Sequence, residues 1–181
     1  MGKIHGEIDD TLAKIIQDQH VFFVATAPLA RDGNINLSPK GLDSFRILSP
    51  TTVAYLDVVG SGVETIAHLK ENRRIVIMVC TFEGPPNIIR LHGRGHVVEP
   101  QSPEFLSLAA HFPRYESTRA IIVVELTRVS DSCGFGVPLL KFEGARDHHF
   151  SWAQKKGSEG LKAYKQEKNR RSIDGLPGLA E

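Results

Sequence analysis

The chain has 181 residues, of which 41% are hydrophobic and 24% are charged, a composition typical of one soluble globular domain. Its 22 basic and 21 acidic side chains leave a formal net charge of +1. Because such a balance produces no overall field that would attract nucleic acid or an anionic membrane, neither is an expected partner, and a bound anion must be held by a local arrangement of groups.

The first half of the chain predicts one helix, four strands and a second helix. Apolar residues fall on one helical face over residues 7–17, and Asp9 or Asp10 is the expected N-terminal cap. Runs of β-branched and aromatic residues, or of alternating polarity, predict strands at 20–27, 34–38, 45–48 and 51–59. Gly60-Ser61-Gly62 then opens a short helix that extends to Glu71.

The second half predicts three more strands and two further helices. The strands are expected at 74–82, 87–98 and 119–129, and the last of these is apolar on both faces. The helices are expected at 103–112 and in the lysine-rich segment 152–168. A tail that contains glycine and proline follows at 169–181.

These elements predict a mainly β fold, an antiparallel barrel of six or seven strands with peripheral helices. A doubly wound parallel sheet is not expected, because most consecutive strands have no helix between them. We expect one domain with an N-terminal helical segment at 1–18, the barrel at 19–145 and a helical C-terminal extension at 146–181.

The turn before the second helix is a candidate phosphate site. The first amides of a helix have no internal partner and carry partial positive charge, and Gly60 and Gly62 allow an anion to approach the backbone. The hydroxyls of Ser61 and Thr65 are further potential donors. The alternative is that Ser61 and Glu64 form a capping box, which requires no ligand.

The end of the second strand offers a cation at the rim of the barrel. In the sequence Asn36-Leu37-Ser38-Pro39-Lys40-Gly41, the ammonium group of Lys40 stands two residues after the hydroxyl of Ser38. Such a pair suits an anionic ligand, and the same residues also suit an ordinary turn.

Basic side chains share one face of the strand at 87–98. Its two-residue period places Arg90, His92, Arg94 and His96 together, opposite a largely apolar face. These side chains form either a solvated surface or contacts with an anionic ligand or a partner subunit.

No metal site and no catalytic side chain are predicted. His92 and His96 lie roughly 13 Å apart on an extended strand, and His148 and His149 are expected on opposite faces of a strand. Cys133 lies between small residues, a pattern that fits either a tight loop, which is the commoner reason, or a reactive thiol.

Cysteine usage and the absence of long apolar runs bear on location. Cys80 and Cys133 do not make a disulfide framework. Residues 1–10 contain no apolar signal core, and no apolar run approaches the roughly 20 residues of a membrane span. We therefore expect an intracellular, cytoplasmic protein.

The order of these segments resembles the FMN-binding split β-barrel of the pyridoxamine 5'-phosphate oxidase-like family, which is of the Greek-key type. The likeness covers residues 19–129, and it rests on the strand pair at 21–40, the strand at 53–57, Gly60-Ser61 with the helix at 64–72, and the strands at 74–79 and 89–98. The C-terminal part, from Asp131-Ser132-Cys133-Gly134 to Leu176-Pro177-Gly178, resembles an uncharacterised subgroup of the family.

The resemblance implies a homodimer with FMN at the subunit interface and a small-molecule substrate. The family's phosphate-binding lysine matches Lys40, and its other phosphate ligands begin the following helix, where alignment selects either Ser61 or Thr65. In the family, the isoalloxazine ring of the flavin lies along the backbone of the strands. Arg90 is included because of the strand face on which it lies, not because of a motif match. The implied cofactor-binding residues are Asn36, Ser38, Pro39, Lys40, Tyr55, Asp57, Ser61, Gly62, Thr65 and Arg90.

Departures from the true oxidase argue against pyridoxamine phosphate as the substrate. The oxidase has an arginine five residues before the lysine, where this chain has Ile35, and an Arg-Lys pair at the helix start, where this chain has Gly62-Val63 or Thr65-Ile66. The leading hypothesis is therefore an FMN-dependent oxidoreductase acting on another small molecule. The alternatives are a non-catalytic protein of the same fold that binds flavin or haem, and a reductase that uses the deazaflavin F420.

Overall fold

The computed structural model describes residues 2–180, which contain eight β-strands and four α-helices. In chain order these are β1 (Lys3–His5), α1 (Asp10–Gln17), β2 (Phe22–Thr26), β3 (Asn36–Lys40), β4 (Phe45–Ser49), β5 (Thr52–Val58), α2 (Glu64–Asn72), β6 (Arg74–Cys80), β7 (Asn87–Val98), α3 (Phe105–Ala109), β8 (Thr118–Cys133) and α4 (His148–Lys168).

All the described strand pairs are antiparallel, and the strand order is β3-β2-β6-β7-β8-β5-β4. The short strand β1 pairs with the C-terminal end of β8. The predicted fold, a mainly β antiparallel barrel with peripheral helices, is confirmed. β1 is additional to the predicted strands, because three residues are too few to reveal a period.

The core lies on the inner face of the curved sheet. On β2, Phe22 and Val24 are buried while Phe23 and Ala25 are only half-buried, which is the alternation of a strand with one face inward. Helices α1 and α2 pack against this face through Leu12, Ile16, Ile66 and Leu69.

The N-terminal ends of α1 and α2 confirm one prediction made from the sequence and contradict another. Asp9 caps α1, since its carboxylate accepts a hydrogen bond from the amide of Leu12 at 2.8 Å. Helix α2 begins at Glu64, and its N-cap is Val63, which makes no side-chain cap. The alternative interpretation of this turn, a capping box of Ser61 and Glu64, is therefore wrong, because the N-cap position is occupied by Val63 and not by Ser61.

The segment after β8 corrects a second local prediction. His148 and His149 begin helix α4 and do not lie on a strand. Their placement follows from packing, since His149 accepts or donates a 2.8 Å hydrogen bond with Ser117 and lies against the ring of Trp152. Gly157 interrupts the helix with φ of +64°, a conformation that glycine adopts at little cost.

The C-terminal tail packs on its own chain, beside α2. The side-chain amide of Asn169 donates to the carbonyl of Gly60 at 2.9 Å, and Lys70 of α2 donates to the carbonyl of Gly178 at 2.6 Å. Leu179 is buried in the main core. The tail therefore contacts both the turn that precedes α2 and the last turn of the helix.

Two features are absent from residues 2–180. None of the described helices combines the length and the apolar character needed to cross a membrane. The same residues contain no group of three or more His, Cys, Asp or Glu side chains placed to share a metal ion.

We predict that Gly178→Ala destabilises the protein by about 1–3 kcal/mol, as overpacking of a close contact does. A Cβ at this position would clash with the carbonyl of Asn169, and it would lie 2.9 Å from both methyl groups of Val63. The free energy of unfolding, measured by urea denaturation, checks this. The control is Gly136→Ala, where a Cβ meets nothing within 4 Å, and equal stability of the two variants would contradict the prediction.

Candidate functional site

A polar cavity of about 390 Å³ opens at one end of the barrel. We call it the polar cavity; it is lined by Asn36, Ser38, Pro39, Lys40, Gly41, Leu42, Ser44, Leu56, Val58, Val59, Gly60, Gly62, Glu64, Thr65, Arg119 and His149. These residues come from β3 and its following turn, from β5 and the start of α2, from the start of β8 and from α4. Segments more than 100 residues apart in sequence therefore share one wall.

Strand register explains why the lysine faces this cavity. Lys40 stands opposite Phe22, Ser38 opposite Val24 and Asn36 opposite Thr26 on the neighbouring strand β2. Because directly opposed residues share a face and Phe22, Val24 and Thr26 are buried, the polar residues of β3 point to the inside of the barrel.

A buried carboxylate lies beneath the cavity. Asp57 is fully buried, and its two oxygens accept hydrogen bonds from Lys40 Nζ and Arg119 Nε, each at 2.8 Å. Burial alone would raise the pKa of Asp57, but the charges and hydrogen bonds of Lys40 and Arg119 outweigh this and lower the pKa to about 2. We call these three residues the Asp57 triad.

A hydrogen-bond network of neutral side chains forms the wall that continues along β3 from Lys40. The amide nitrogen of Asn36 donates to Thr65 Oγ1 at 3.0 Å and to Thr26 Oγ1 at 3.2 Å, and Ser38 donates to Asn36 Oδ1 at 3.0 Å. Thr26 Oγ1 in turn lies 2.9 Å from Nδ1 of the buried His68. Burial lowers the pKa of His68, so this wall is neutral near pH 7.

The N-terminal end of α2 completes the cavity. Its first amides have no acceptor within the helix, as at every helix start, and those of Glu64 and Thr65 belong to residues that line the cavity. The carboxylate of Glu64 folds back toward Gly62 and accepts a hydrogen bond from the amide of Ile173 at 3.2 Å. The formal charges of Lys40, Arg119, Asp57 and Glu64 cancel, so anion binding here depends on unused hydrogen-bond donors.

The structure brings together six of the residues that the sequence selects, namely Asn36, Ser38, Pro39, Lys40, Gly62 and Thr65. Asp57 reaches the cavity only through its two cations. Of the two alternatives at the helix start, Thr65 lines the cavity, whereas Ser61 is exposed and lies outside the lining.

Two other selected residues do not line the cavity. Tyr55 is completely buried in the main core, where it packs against the ring of Phe22. Arg90 is on the outer face of β7 and donates to Ser132 Oγ at 2.9 Å, away from the polar cavity.

Sequence reasoning missed two basic residues that line the cavity. Arg119 is 5% exposed and directly precedes the apolar run 120–124 of β8. A cation at the start of a buried apolar run is a signal that it is paired with a buried carboxylate. His149 comes from α4, and burial lowers its pKa. No local pattern marks His149, because only the packing of α4 brings it to this end of the barrel.

Comparisons with known proteins agree on one family. Residues 8–133 match the sequence model of the family described as pyridoxamine 5'-phosphate oxidase. The pyridoxamine 5'-phosphate oxidase family protein ustO of Aspergillus flavus is 39% identical over 189 aligned positions, which cover 95% of this chain and 76% of the relative.

Solved structures show the same fold. A substituted variant of HupZ from Group A Streptococcus superposes with a TM-score of 0.56 at 19% identity, and the match covers 69% of this chain and 99% of HupZ. A FAD-binding protein from Mesorhizobium loti superposes with a TM-score of 0.50 at 14% identity, covering 72% of this chain and 95% of that protein.

We predict that Asp57→Asn destabilises the protein by about 3 kcal/mol or more near pH 7, because two largely buried cations lose their counter-charge. The folded pKa of Asp57 is lowered to about 2, so its stabilising contribution is complete above the unfolded pKa of about 4 and is lost as the pH falls from there towards 2. Urea denaturation between pH 2 and 7 measures both effects.

The control for this prediction is Asp18→Asn, which removes an exposed carboxylate paired with Lys14 on α1. We expect the free energy of unfolding of Asp18→Asn to depend on pH as that of the unmodified protein does. Between pH 4 and 2, Asp57→Asn should lose less stability than these two proteins. Parallel curves for all three proteins would contradict a stabilising Asp57 triad.

Proposed function

The chain belongs to the pyridoxamine 5'-phosphate oxidase family, and we propose that it is a flavoprotein that binds FMN and acts as an oxidoreductase on a small molecule. The observation that carries this proposal is the polar cavity, in which Lys40 and Arg119 face the open N-terminal end of α2. A FAD-binding relative in fold, from Mesorhizobium loti, is a precedent for a flavin on this scaffold.

The donors of the cavity fit a phosphate monoester. Lys40 Nζ has three hydrogens and gives one to Asp57, and Thr65 Oγ1 accepts from Asn36, which leaves its own hydrogen free to donate. The amides at the start of α2 add uncharged donors. These groups would hold the terminal phosphate of FMN by hydrogen bonds although the local charges cancel.

The Asp57 triad would keep these donors in place before the ligand arrives. Each cation is fixed by one carboxylate oxygen, so little side-chain freedom remains to be lost when phosphate binds. Bound FMN would supply the redox chemistry by accepting hydride, while the protein binds and orients it and excludes water. We assign no acid or base residue to the reaction.

The substrate is proposed to differ from pyridoxamine phosphate. Ile35, at the position where the oxidase has an arginine, is 78% exposed and offers no charge. At the helix start itself, where the oxidase has an Arg-Lys pair, this chain has no cation, and its one charged residue there is Glu64. The nearby Lys40 and Arg119 are already paired with Asp57, so a second phosphate, on the substrate, would find no counter-charge of its own here.

We also propose a homodimer formed through the outer face of the sheet. Directly opposed residues on β3, β2 and β6 build two apolar rows on this face, which are Leu37–Ala25–Val76 and Pro39–Phe23–Met78. Leu37 is 65% exposed. Covering such a continuous apolar face is a typical role of a second subunit.

We predict that the double variant Lys40→Ala, Thr65→Ala weakens FMN binding by roughly tenfold or more, because two phosphate donors are lost. Riboflavin, which lacks the phosphate, should bind both proteins equally. Flavin fluorescence titration measures the two dissociation constants. Unchanged FMN affinity, or an equal loss for riboflavin, would contradict the assignment of the phosphate site.

The matched control is Lys14→Ala, which removes an exposed lysine on α1.

The absorbance spectrum of the purified protein separates the alternative functions. A flavin spectrum bleached by NADH or NADPH supports the oxidoreductase, a flavin spectrum that neither donor changes supports a non-catalytic binding protein, and a Soret band supports a haem-binding protein. A colourless protein that binds FMN weakly supports a reductase that uses F420.

We predict that the protein has a solution mass of twice 20.0 kDa and that Leu37→Asp reduces it to a single chain, because a carboxylate is costly to bury in an apolar interface. Light scattering after size-exclusion chromatography measures the mass. The control is Leu106→Asp on α3, where the leucine is 80% exposed away from this face. An unchanged mass for Leu37→Asp would place the interface elsewhere.

A further inference from the structure

A second cavity, of about 840 Å³, lies beside the polar cavity on the other side of β2. We call it the apolar cavity; its walls are the end of α1, the start of β2, the turn between β6 and β7, and the segment 140–142. The two cavities are neighbours, since a Cβ on Gly41 of the polar cavity would lie 3.3 Å from the carbonyl of His20 in the apolar one.

One wall of the apolar cavity is an extended segment held by two hydrogen bonds. The amide of Leu140 donates to the carbonyl of Phe82 at 3.0 Å, and the amide of Phe142 donates to Glu83 Oε1 at 2.8 Å. These bonds fix the segment against the β6–β7 turn, while its apolar side chains remain about half exposed. The result is a concave apolar surface of a size that accommodates a small molecule.

The aromatic geometry of this wall indicates the shape of a ligand. The rings of His20 and Phe142 are stacked with centroids 3.6 Å apart and an interplanar angle of 16°. Phe142 is 45% exposed, and Phe82 also lines the cavity. Phe23 lines it as well but belongs to the apolar row proposed above as the dimer interface, so Phe142 and Phe82 are the phenyl rings assigned to the ligand. Flat rings with an exposed face favour stacking or edge contacts with another planar ring.

A buried polar atom in the lining indicates the ligand's hydrogen bonding. Asn87 lines the apolar cavity, and its Oδ1 is buried without a hydrogen-bond partner among residues 2–180. A buried acceptor without a partner is costly, so a ligand that carries an N–H or O–H group would gain by pairing with it once the side-chain amide turns toward the cavity.

The charged side chains of the lining argue against an anion. They are two carboxylates, Asp18 and Glu83, and one ammonium group, Lys141. This excess of negative charge contrasts with the paired cations and helix end of the polar cavity. A phosphate-bearing ligand is therefore directed to the polar cavity, and an uncharged ligand to the apolar one.

We propose that the apolar cavity is a separate binding site for a planar, uncharged aromatic molecule with one hydrogen-bond donor, of the phenol, indole or arylamine class. The stacked pair of His20 and Phe142 provides the aromatic surface, and Asn87 accepts the hydrogen bond.

The test uses the fluorescent arylamine N-phenyl-1-naphthylamine with the flavin-free full-length protein. We expect saturable binding of one probe per chain that added FMN does not displace. Phe142→Ala should weaken binding by roughly three- to tenfold, which is the usual contribution of an aromatic pair. Phe135→Ala, in an 83% exposed position of the same region but outside the cavity, should leave the affinity unchanged.

A second comparison tests the hydrogen bond. Asn87→Ala should weaken the binding of N-phenyl-1-naphthylamine. It should leave unchanged the affinity for 1-phenylnaphthalene, which has no donor and is measured by competition with the probe. Absence of saturable binding, or equal effects of the Phe142 and Phe135 variants, would overturn the proposal. Displacement of the probe by FMN would overturn it as well, by making this cavity part of the flavin site. A Phe142→Ala protein that becomes monomeric would instead assign the cavity to a subunit interface and would also overturn it.

Discussion

The polar cavity depends on the burial of a single carboxylate. Asp57 is fully buried, and an isolated charge in that position would be unfavourable by far more than a small domain can compensate. The cost is offset only because Lys40 from β3 and Arg119 from β8 each donate to one of its oxygens. These bonds tie three strands together at one end of the sheet, although β3 and β5 are not neighbours in strand order.

This arrangement determines how the cavity can recognise a ligand. The two cations already have Asp57 as a partner, so they do not act as free charges. The carboxylate of Glu64 balances the one positive charge that remains. Recognition therefore relies on fixed donors with unused hydrogens, which are those of Lys40, Thr65 and the start of α2. Donors that are fixed in advance lose little freedom on binding, and they favour a phosphate group over a simple carboxylate because a phosphate offers more acceptor oxygens.

Helix α2 connects the cavity to the rest of the molecule. Its start borders the cavity, and its buried face carries Thr65, which accepts from Asn36, and His68, which is hydrogen-bonded to Thr26. The C-terminal tail contacts the helix from outside through Lys70. Asn169 of the tail and Arg119 of the triad both donate to the carbonyl of Gly60, at 2.9 Å and 3.4 Å. The tail is thus part of the structure that positions the helix start, even though it lies far from β3 and β5 in sequence.

The sequence by itself determined the elements whose signals are local. Alternating polarity on β2 and the cap at Asp9 require only neighbouring residues, and the same holds for the choice of Lys40 and the Gly60–Thr65 turn as anion-binding candidates. Tertiary structure alone decided that Tyr55 is buried in the core, that Arg90 faces another surface, and that Arg119 and His149 join the cavity. The physical reason is that strand register and helix packing bring together residues 60 or more positions apart, and no period or motif along the chain encodes which of them will meet.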